Sequence, residues 1–480
     1  MTIELRYQPY RLFPYERELA QREVASLGLE IVRQDQTGIL AEGNANHDAL
    51  SRLTYFREVV WNGMLVEPSV ARIERRHLQR RRADRAPRQA TRYLVHGLHE
   101  YKGKFHPQMV RAFANLLGVR PGDLVLDPFA GSGTTLVEAV MMGANAAGAD
   151  LSPLAVLISQ AKLAVLHEPD RGRLAARLQE WGLQATGSMS QASATEAAVP
   201  MPHLGEDSVG FLRSWFSQRE FAALTAGVSM LRSVEGDSSL HLLASVVLSS
   251  VLRRSSLQAP EDLRIRRRGP DSMPESMTEL LAVAVSEAVE AVLESTDLGE
   301  FDTHGRCVLQ DVTAPGAIRD LRGDMQRATV ITSPPYATAL PYIDTDRFSL
   351  VALGLHKASG LRTLEAELVG SREWSISEQR RWTDRLDTAD DGLPAEVLDI
   401  CRAIQKTDGS SVGFRKRAVP ALLFRYFIQM DQVFRELRTA LKPRERAVFI
   451  VGFLAFVAAS FLLTPYLGRD FFPAEFWKRK

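Results

Sequence analysis

Cysteine is scarce: among 480 residues only Cys307 and Cys401 carry a thiol. Two thiols build neither a disulfide framework nor a cysteine-rich zinc site, and they suit a reducing compartment. Net charge is nearly absent as well. With 59 basic against 58 acidic side chains the formal charge is +1, so any basic surface has to be local. The opening residues, MTIELRYQPYRLFPYERE, lack an apolar signal segment, and a cytoplasmic protein is expected. Two nucleotide signatures are missing too. No Gly-Lys-Ser/Thr is available to grip phosphates as a P-loop does, and no GxGxxG prepares a pyrophosphate site. The composition that remains, 45% hydrophobic and 24% charged, is that of a globular chain long enough for two or three domains.

The chain is organised around Leu124 to Asp150, LVLDPFAGSGTTLVEAVMMGANAAGAD. Leu124, Val125 and Leu126 are the short apolar run of a buried parallel strand. A turn comes next, through Asp127, Pro128, Phe129, Ala130, Gly131, Ser132 and Gly133. From Thr134 a helix carries Leu136, Ala139 and Val140 on one face, Gly143 stops it, and Ala146 to Ala149 form a second strand ending at Asp150. Glycines allow close approach of a ligand to the backbone, and an acid at this spacing accepts hydrogen bonds from ribose hydroxyls. A small cofactor bearing an adenosine and a charged amino-acid tail fits this turn. A second signature, Thr332-Ser333-Pro334-Pro335-Tyr336, comes directly after the apolar run Ala328 to Ile331. It therefore sits at the C-terminal end of a strand, where open α/β sheets bind ligands.

Together DPFAGSGTT, the GAD beyond it and the SPPY tetrapeptide resemble the DNA amino-methyltransferase family, which methylates exocyclic amines of nucleic-acid bases. The resemblance spans roughly residues 93 to 166 and 305 to 452, with the cofactor turn ahead of SPPY, one of the family's permuted orders. It implies an α/β fold: a Rossmann-like S-adenosylmethionine-dependent sheet, here with an N-terminal α+β module and a helical insertion. It implies S-adenosyl-L-methionine as cofactor, held by Asp127, Pro128, Phe129, Gly131, Ser132, Gly133, Thr134 and Asp150. The segment His99 to Gln108 resembles one that closes over the methionine end of the cofactor, which makes Lys104 and Phe105 candidates there. Asp311, at the end of a strand over Cys307 to Gln310, reads either as an acceptor for the cofactor's adenine amino group or as a turn aspartate.

Ser333, Pro334, Pro335 and Tyr336 are the candidate catalytic residues. A base amine is a poor nucleophile, because its lone pair is delocalised into the ring. A serine hydroxyl and a proline carbonyl aimed at its hydrogens favour a more electron-rich nitrogen, and consecutive prolines fix them in place. Tyr336 can stack on a base extruded from the duplex. Serine in the first position is the form most associated with cytosine N4, and the run Tyr342 to Phe348 resembles the segment after SPPY in such enzymes. The expected activity is DNA methylation at cytosine N4, with DNA adenine N6, guanine N2 in tRNA, and a non-catalytic nucleic-acid-binding protein as alternatives. DNA is the expected partner, RNA the alternative, and a restriction endonuclease a further one.

Residues 1–70 read as a small α+β module, with helices over Tyr15 to Leu27 and Asp48 to Tyr55 and strands over Leu29 to Val32, Ile39 to Ala41 and Val59 to Val66. Its element order is similar to the N-terminal domains of tRNA guanine methyltransferases. Residues 71–92 read as an arginine-rich linker, either a solvated face or a phosphate-contacting arm through Arg75, Arg76, Arg80, Arg81 and Arg82. Residues 93–183 form the cofactor half. Residues 184–300 form a linker and a helical insertion whose Arg266 and Arg267 are a second basic locus, suited to target recognition or simply solvated. Residues 301–452 form the catalytic half, loop-rich between 370 and 415, with a helix over Phe424 to Leu441 and a strand over Ala447 to Val451. Residues 453–480 are an apolar tail: Ala447 to Gly468 lacks any charge and is long enough to span a bilayer, yet insertion would pull a core strand from the sheet, so no stable membrane insertion is expected. His96, His99 and His106 lack the partners of a metal site, and none is expected.

Overall fold

The computed structural model describes residues 1–80, 89–194, 201–259, 265–269, 271–337, 342–388, 393–407 and 418–450. Two five-stranded sheets organise them. The first is antiparallel, in the order β2-β3-β1-β4-β5, built from β1 (Thr2–Tyr7), β2 (Glu30–Gln34), β3 (Gly38–Glu42), β4 (Phe56–Trp61) and β5 (Met64–Val66). β1 alternates buried Ile3, Leu5 and Tyr7 with more exposed neighbours, the period-two pattern of a half-buried strand, and lies at the sheet's centre. The segment Val59 to Val66 is two strands rather than one. Asn62 and Gly63, at φ 51° and 73°, turn the chain back in the manner of a two-residue hairpin. The second helix expected here is a single turn, His47–Ser51.

The module docks on the helix Pro107–Leu116. Ala112 joins its apolar core, and the fully buried Glu23 accepts from Thr54 Oγ1 at 2.8 Å and Asn115 Nδ2 at 2.7 Å. The buried Glu74 accepts from Tyr10 and Gln108. No cation pairs with either carboxyl among the described residues. Burial lifts Glu23 to about 7 and Glu74 to about 8. Glu74 lies on the helix Ser69–Arg80, so the expected linker is helical in its first part. Val70 and Ile73 supply the cause, packing with Tyr93 and Leu94 in a small apolar cluster.

The second sheet is parallel, in the order β10-β9-β6-β7-β8, from β6 (Leu124–Asp127), β7 (Asn145–Asp150), β8 (Gly305–Leu309), β9 (Ala328–Thr332) and β10 (Arg446–Phe449). All four pairings are parallel. The central β6 and β9 are buried at every position, as parallel strands covered on both faces must be. The chain runs outward from β6 through β7 to β8, then returns to β9 on the other side. The order therefore reverses between β6 and β9, and the crevice at their C-terminal ends is the switch point where ligands bind.

Between β7 and β8 lies a helical layer: Arg171–Ala194, Glu206–Trp215, Gln218–Arg232, Ser238–Leu252 and Met277–Thr296. Residues 184–194 are helix, not linker. Ala185, Met189 and Ala192 are buried, and just ahead of them a Cβ on Gly182 would lie 2.5 Å from Val285, so small residues here serve close packing. Residues 370–415 also depart from the loop-rich expectation. The helices Ile376–Thr388 and Ala395–Thr407 bury Leu386 and Cys401 against Phe424 and Ile428 of the helix Val419–Ala440. Their apolar positions are too few to announce helices within so polar a stretch. The apolar tail 453–480 lies outside the described residues, and no described helix is long and apolar enough to cross a membrane.

Candidate active site

The turn after β6 is shaped by two glycines in the left-handed region, Gly131 at φ 49° and Gly133 at φ 76°. A Cβ on Gly133 would sit 2.7 Å from Ser159 Oγ, and one on Gly148 of β7 only 2.8 Å from the Ala130 methyl, so the turn lies directly on its sheet. Hydrogen bonds fasten it from both sides. Gly131 N–H donates to Asp150 Oδ2 at 2.9 Å and Ser152 N–H to Asp150 Oδ1 at 2.8 Å. Ser159 Oγ donates to Gly131 O at 2.8 Å, and the buried Lys162 Nζ to Ser132 O at 2.7 Å.

The helix that leaves the turn, Thr134–Met141, is anchored at Glu138. Its carboxyl accepts from Tyr93 Oη at 2.7 Å, His96 Nε2 at 2.8 Å and Arg111 Nε at 2.8 Å, all buried. Burial alone would raise this carboxyl, but the Arg111 guanidinium and the two further donors hold it down to about 2. His96 is pushed down to about 3 by burial, so it is neutral. His99 bonds Ser249 Oγ and the Glu100 carbonyl. Both histidines serve these networks.

The turn after β9 meets the turn after β6 through one bond between strand ends: Thr332 Oγ1 donates to Asp127 Oδ1 at 2.6 Å. Asp127 also accepts from Phe129 N–H, and burial lifts its carboxyl to about 6. Asp127 is fully buried and stands outside the cavity lining, so it holds the two turns together from beneath.

Above this bond opens a cavity of about 810 Å³, mouth included, lined by Gly131, Asp150, Lys104, Phe129, Ser333 and Pro335 among others. Pro128, Ser132, Thr134 and Phe105 also reach it; Gly133 and Pro334 are buried behind it. Tyr336 stands outside the lining, part-exposed. Burial, with Tyr336 nearby, pushes the Tyr426 phenol up to about 12. The cradle fits a nucleoside with an amino-acid tail: glycine backbone for close approach, an acid at the ribose position, an aromatic face and a lysine.

Asp311 is a correction. Its carboxylate is exposed and accepts from Thr313 N–H at 2.9 Å and Thr313 Oγ1 at 2.7 Å, the local pattern of a turn aspartate. Its neighbours Gln310 and Val312 line the cavity instead. Three other lining residues are not marked by any motif. Tyr101 covers the turn, its ring 3.2 Å from where a Gly131 Cβ would lie, and Leu368 and Val369 close the far wall. Tyr101 falls within the His99 to Gln108 segment; Leu368 and Val369 carry no local signal. Asp346, on the helix Tyr342–Ala352, is a further carboxyl near Asp150, lifted to about 7 by burial.

The arginines are less free than their clustering implies. Arg75 pairs with Glu67 at 3.0 Å and Arg76 with Asp297 at 2.6 Å. Arg267 stacks 4.6 Å over Trp215 and donates to Ser214 O, while Arg266 is exposed. Arg347 lies 4.6 Å from the same Trp215 ring, tying the insertion to the helix that comes after SPPY. Arg81, Arg82 and the side chain of Arg80 lie outside the described residues.

A parallel sheet with reversed strand order, a glycine turn and acid at its switch point, and SPPY on the next strand define a Rossmann-like methyltransferase fold. A family profile described as DNA methylase matches residues 78–161. Over 399 aligned residues the chain is 22% identical to the Type II methyltransferase M.BsoBI of Geobacillus stearothermophilus, covering 74% of this chain and 73% of that protein. Shorter, stronger similarities join it to the Type II methyltransferase M.MjaII of Methanocaldococcus jannaschii, 52% identical over 69 residues, which is 14% of this chain and 13% of that one. A tRNA (guanine(10)-N2)-dimethyltransferase of Methanothermobacter thermautotrophicus is 47% identical over 51 residues, 11% of this chain and 15% of that one. Residues 78–161 thus match a DNA methylase profile, and the similarity to Type II methyltransferases runs over about three quarters of the chain.

Proposed function

We propose that this protein transfers a methyl group from S-adenosyl-L-methionine to the exocyclic N4 amine of cytosine in DNA. The observation that supports it best is the common cavity of Gly131 and Ser333: both turns open on one space at the switch point. When bound, the cofactor supplies an electrophilic sulfonium methyl. The protein's part is placement. Asp150 and the glycine turn hold the nucleoside end, and Lys104 and Phe105 flank the tail. Ser333 Oγ and the Pro334 carbonyl accept from the target amine, orienting its lone pair. Tyr336 stacks the extruded base, worth about 1–3 kcal/mol. The amine loses one proton as the N–C bond forms, and Ser333, in the cavity lining, is the group placed to relay it. Arg266 and Arg267 contact the DNA backbone. The assignment to cytosine N4 rests on serine in the first position of SPPY.

The test is transfer of labelled methyl to DNA, with the product nucleosides then analysed. Label in N4-methylcytosine is expected; label confined to N6-methyladenine removes the base assignment. A second reading, guanine N2 in tRNA, is favoured by the local similarity to the tRNA enzyme. It predicts transfer to tRNA and none to DNA.

A further inference from the structure

Two side chains that line the cavity are wholly apolar and belong to neither signature: Leu368 and Val369. They come directly after the short helix Leu361–Glu367. Val369 is buried, yet it joins none of the apolar clusters of the described residues, and Leu368 only borders one. Their segment is held by hydrogen bonds along its length. Glu365 Oε2 accepts from Ile343 N–H at 2.8 Å, at the start of the helix that comes after SPPY. Leu368 N–H donates to Glu365 O at 3.3 Å and Ser371 N–H to Leu368 O at 3.1 Å. Arg425, on the helix Val419–Ala440, donates to Ser371 O and packs over the Trp374 ring.

Gly370 fixes which end of the cavity these side chains face. Its φ is 78°, and a Cβ there would lie 3.0 Å from the Tyr336 carbonyl oxygen and 3.5 Å from Ala337 Cα. The backbone just after Val369 therefore touches the backbone just after the SPPY prolines. Consecutive Cα atoms are about 3.8 Å apart, so Val369 and Leu368 stand at the Ser333–Pro335 end. Tyr101 and Asp150 mark the other end, at the glycine turn. The wall of Leu368 and Val369 thus meets the target base rather than the sulfonium carrier. An apolar wall offers no hydrogen bond by which to tell one base from another. It sorts by size alone, and a segment tied along its length does not yield to a larger ring.

We propose that Leu368 and Val369 set the size of the base that the site accepts, admitting a pyrimidine beside Ser333 and turning away a purine. The inference rests on the cytosine reading above. It gives that preference a cause in shape, separate from the serine of SPPY, and it disfavours adenine and guanine alike.

The test uses the whole protein and duplexes carrying the site that the wild type methylates, with cytosine or adenine at the target position. Labelled methyl transfer gives kcat/KM for each. The wild type is expected to favour cytosine. Leu368→Ala, at a part-exposed position, opens the wall and should lower the cytosine-to-adenine ratio about tenfold, with S-adenosylhomocysteine bound as tightly as before. Val369→Leu narrows the wall and should raise the ratio. A wild type that favours cytosine, with the ratio unchanged in both variants, removes the role of the wall and leaves the cytosine reading standing. Loss of S-adenosylhomocysteine affinity at an unchanged ratio overturns it too, and places the two residues against the cofactor. A wild type that prefers adenine, or that methylates no DNA, sinks both.

Discussion

The two turns at the switch point are built to different standards of fixity. The one after β6 is fastened by Asp150, Ser159 and Lys162, and its helix is bolted at Glu138 by three buried donors. The one after β9 is joined to it by the Thr332–Asp127 bond and backed by Gly370, whose added Cβ would approach the Tyr336 carbonyl to 3.0 Å. A cofactor of constant shape profits from a preformed cradle, because no ordering remains to oppose binding. A base that arrives on a bulky polymer needs a more accessible wall, and that wall is the one with fewer ties.

The contrast predicts where substitutions act. The largest effect belongs to Glu138→Ala, which leaves Arg111 buried without its partner. Folding stability should fall by about 3–5 kcal/mol, read by urea unfolding, and a loss below about 1 kcal/mol would show that the fastening is decorative. Ser333→Ala should slow methyl transfer about 10²–10³-fold while leaving S-adenosylhomocysteine affinity intact. Should cofactor affinity fall equally, the two turns are not independent and the contrast breaks. Gly133→Ala does the opposite, straining a left-handed position against Ser159 and weakening cofactor binding by about 1–3 kcal/mol. Titration of both variants with S-adenosylhomocysteine separates the two cases.

A subtler effect comes from Glu74, whose neighbour Gln108 begins the helix that carries Arg111. Its folded carboxyl lies near 8, above its unfolded value, so its stabilising contribution is whole at low pH and declines as pH rises toward 8. Glu74→Gln cannot titrate. From pH 7 to pH 8 the wild type should lose about 1 kcal/mol relative to the variant, measured by parallel unfolding curves. The smallest effect is expected of Arg76→Ala. Its exposed pair with Asp297 contributes about 0–1 kcal/mol. A flatter salt dependence of DNA binding, by about one phosphate contact, would place Arg76 on the backbone; an unchanged slope would leave it a surface ion pair.

What was legible in the sequence was what is local. The β6 turn, its helix and Asp150 lie within 27 consecutive residues, and SPPY comes straight after its strand, so pattern and spacing were enough. The Asn62-Gly63 hairpin and the alternation of β1 are equally local signals, masked by the apolar runs around them. Asp311 against Gln310 is a different matter: which of two adjacent side chains faces the cavity depends on how β8 lies beside β7. Glu138 draws on Tyr93, His96 and Arg111, and Leu368 and Val369 reach the cavity from 35 residues beyond Ser333 or more. No window along the chain contains such meetings. The ion pairs of the arginine cluster were hidden in the same way, because it is the fold that makes Glu67 and Asp297 neighbours of Arg75 and Arg76.

The excursion between β7 and β8 has a consequence for how this molecule can be altered. The two strands are adjacent, so about 150 residues leave the sheet and come back to it side by side, at the edge remote from Ser333. Its first helix, Pro153–His167, belongs to the site, since Ser159 and Lys162 fasten the glycine turn; the helices beyond it can vary in length with the point of attachment unchanged. Material added to or removed from the helical layer beyond the helix Pro153–His167 should therefore leave the order of the sheet, and the crevice between β6 and β9, as they are.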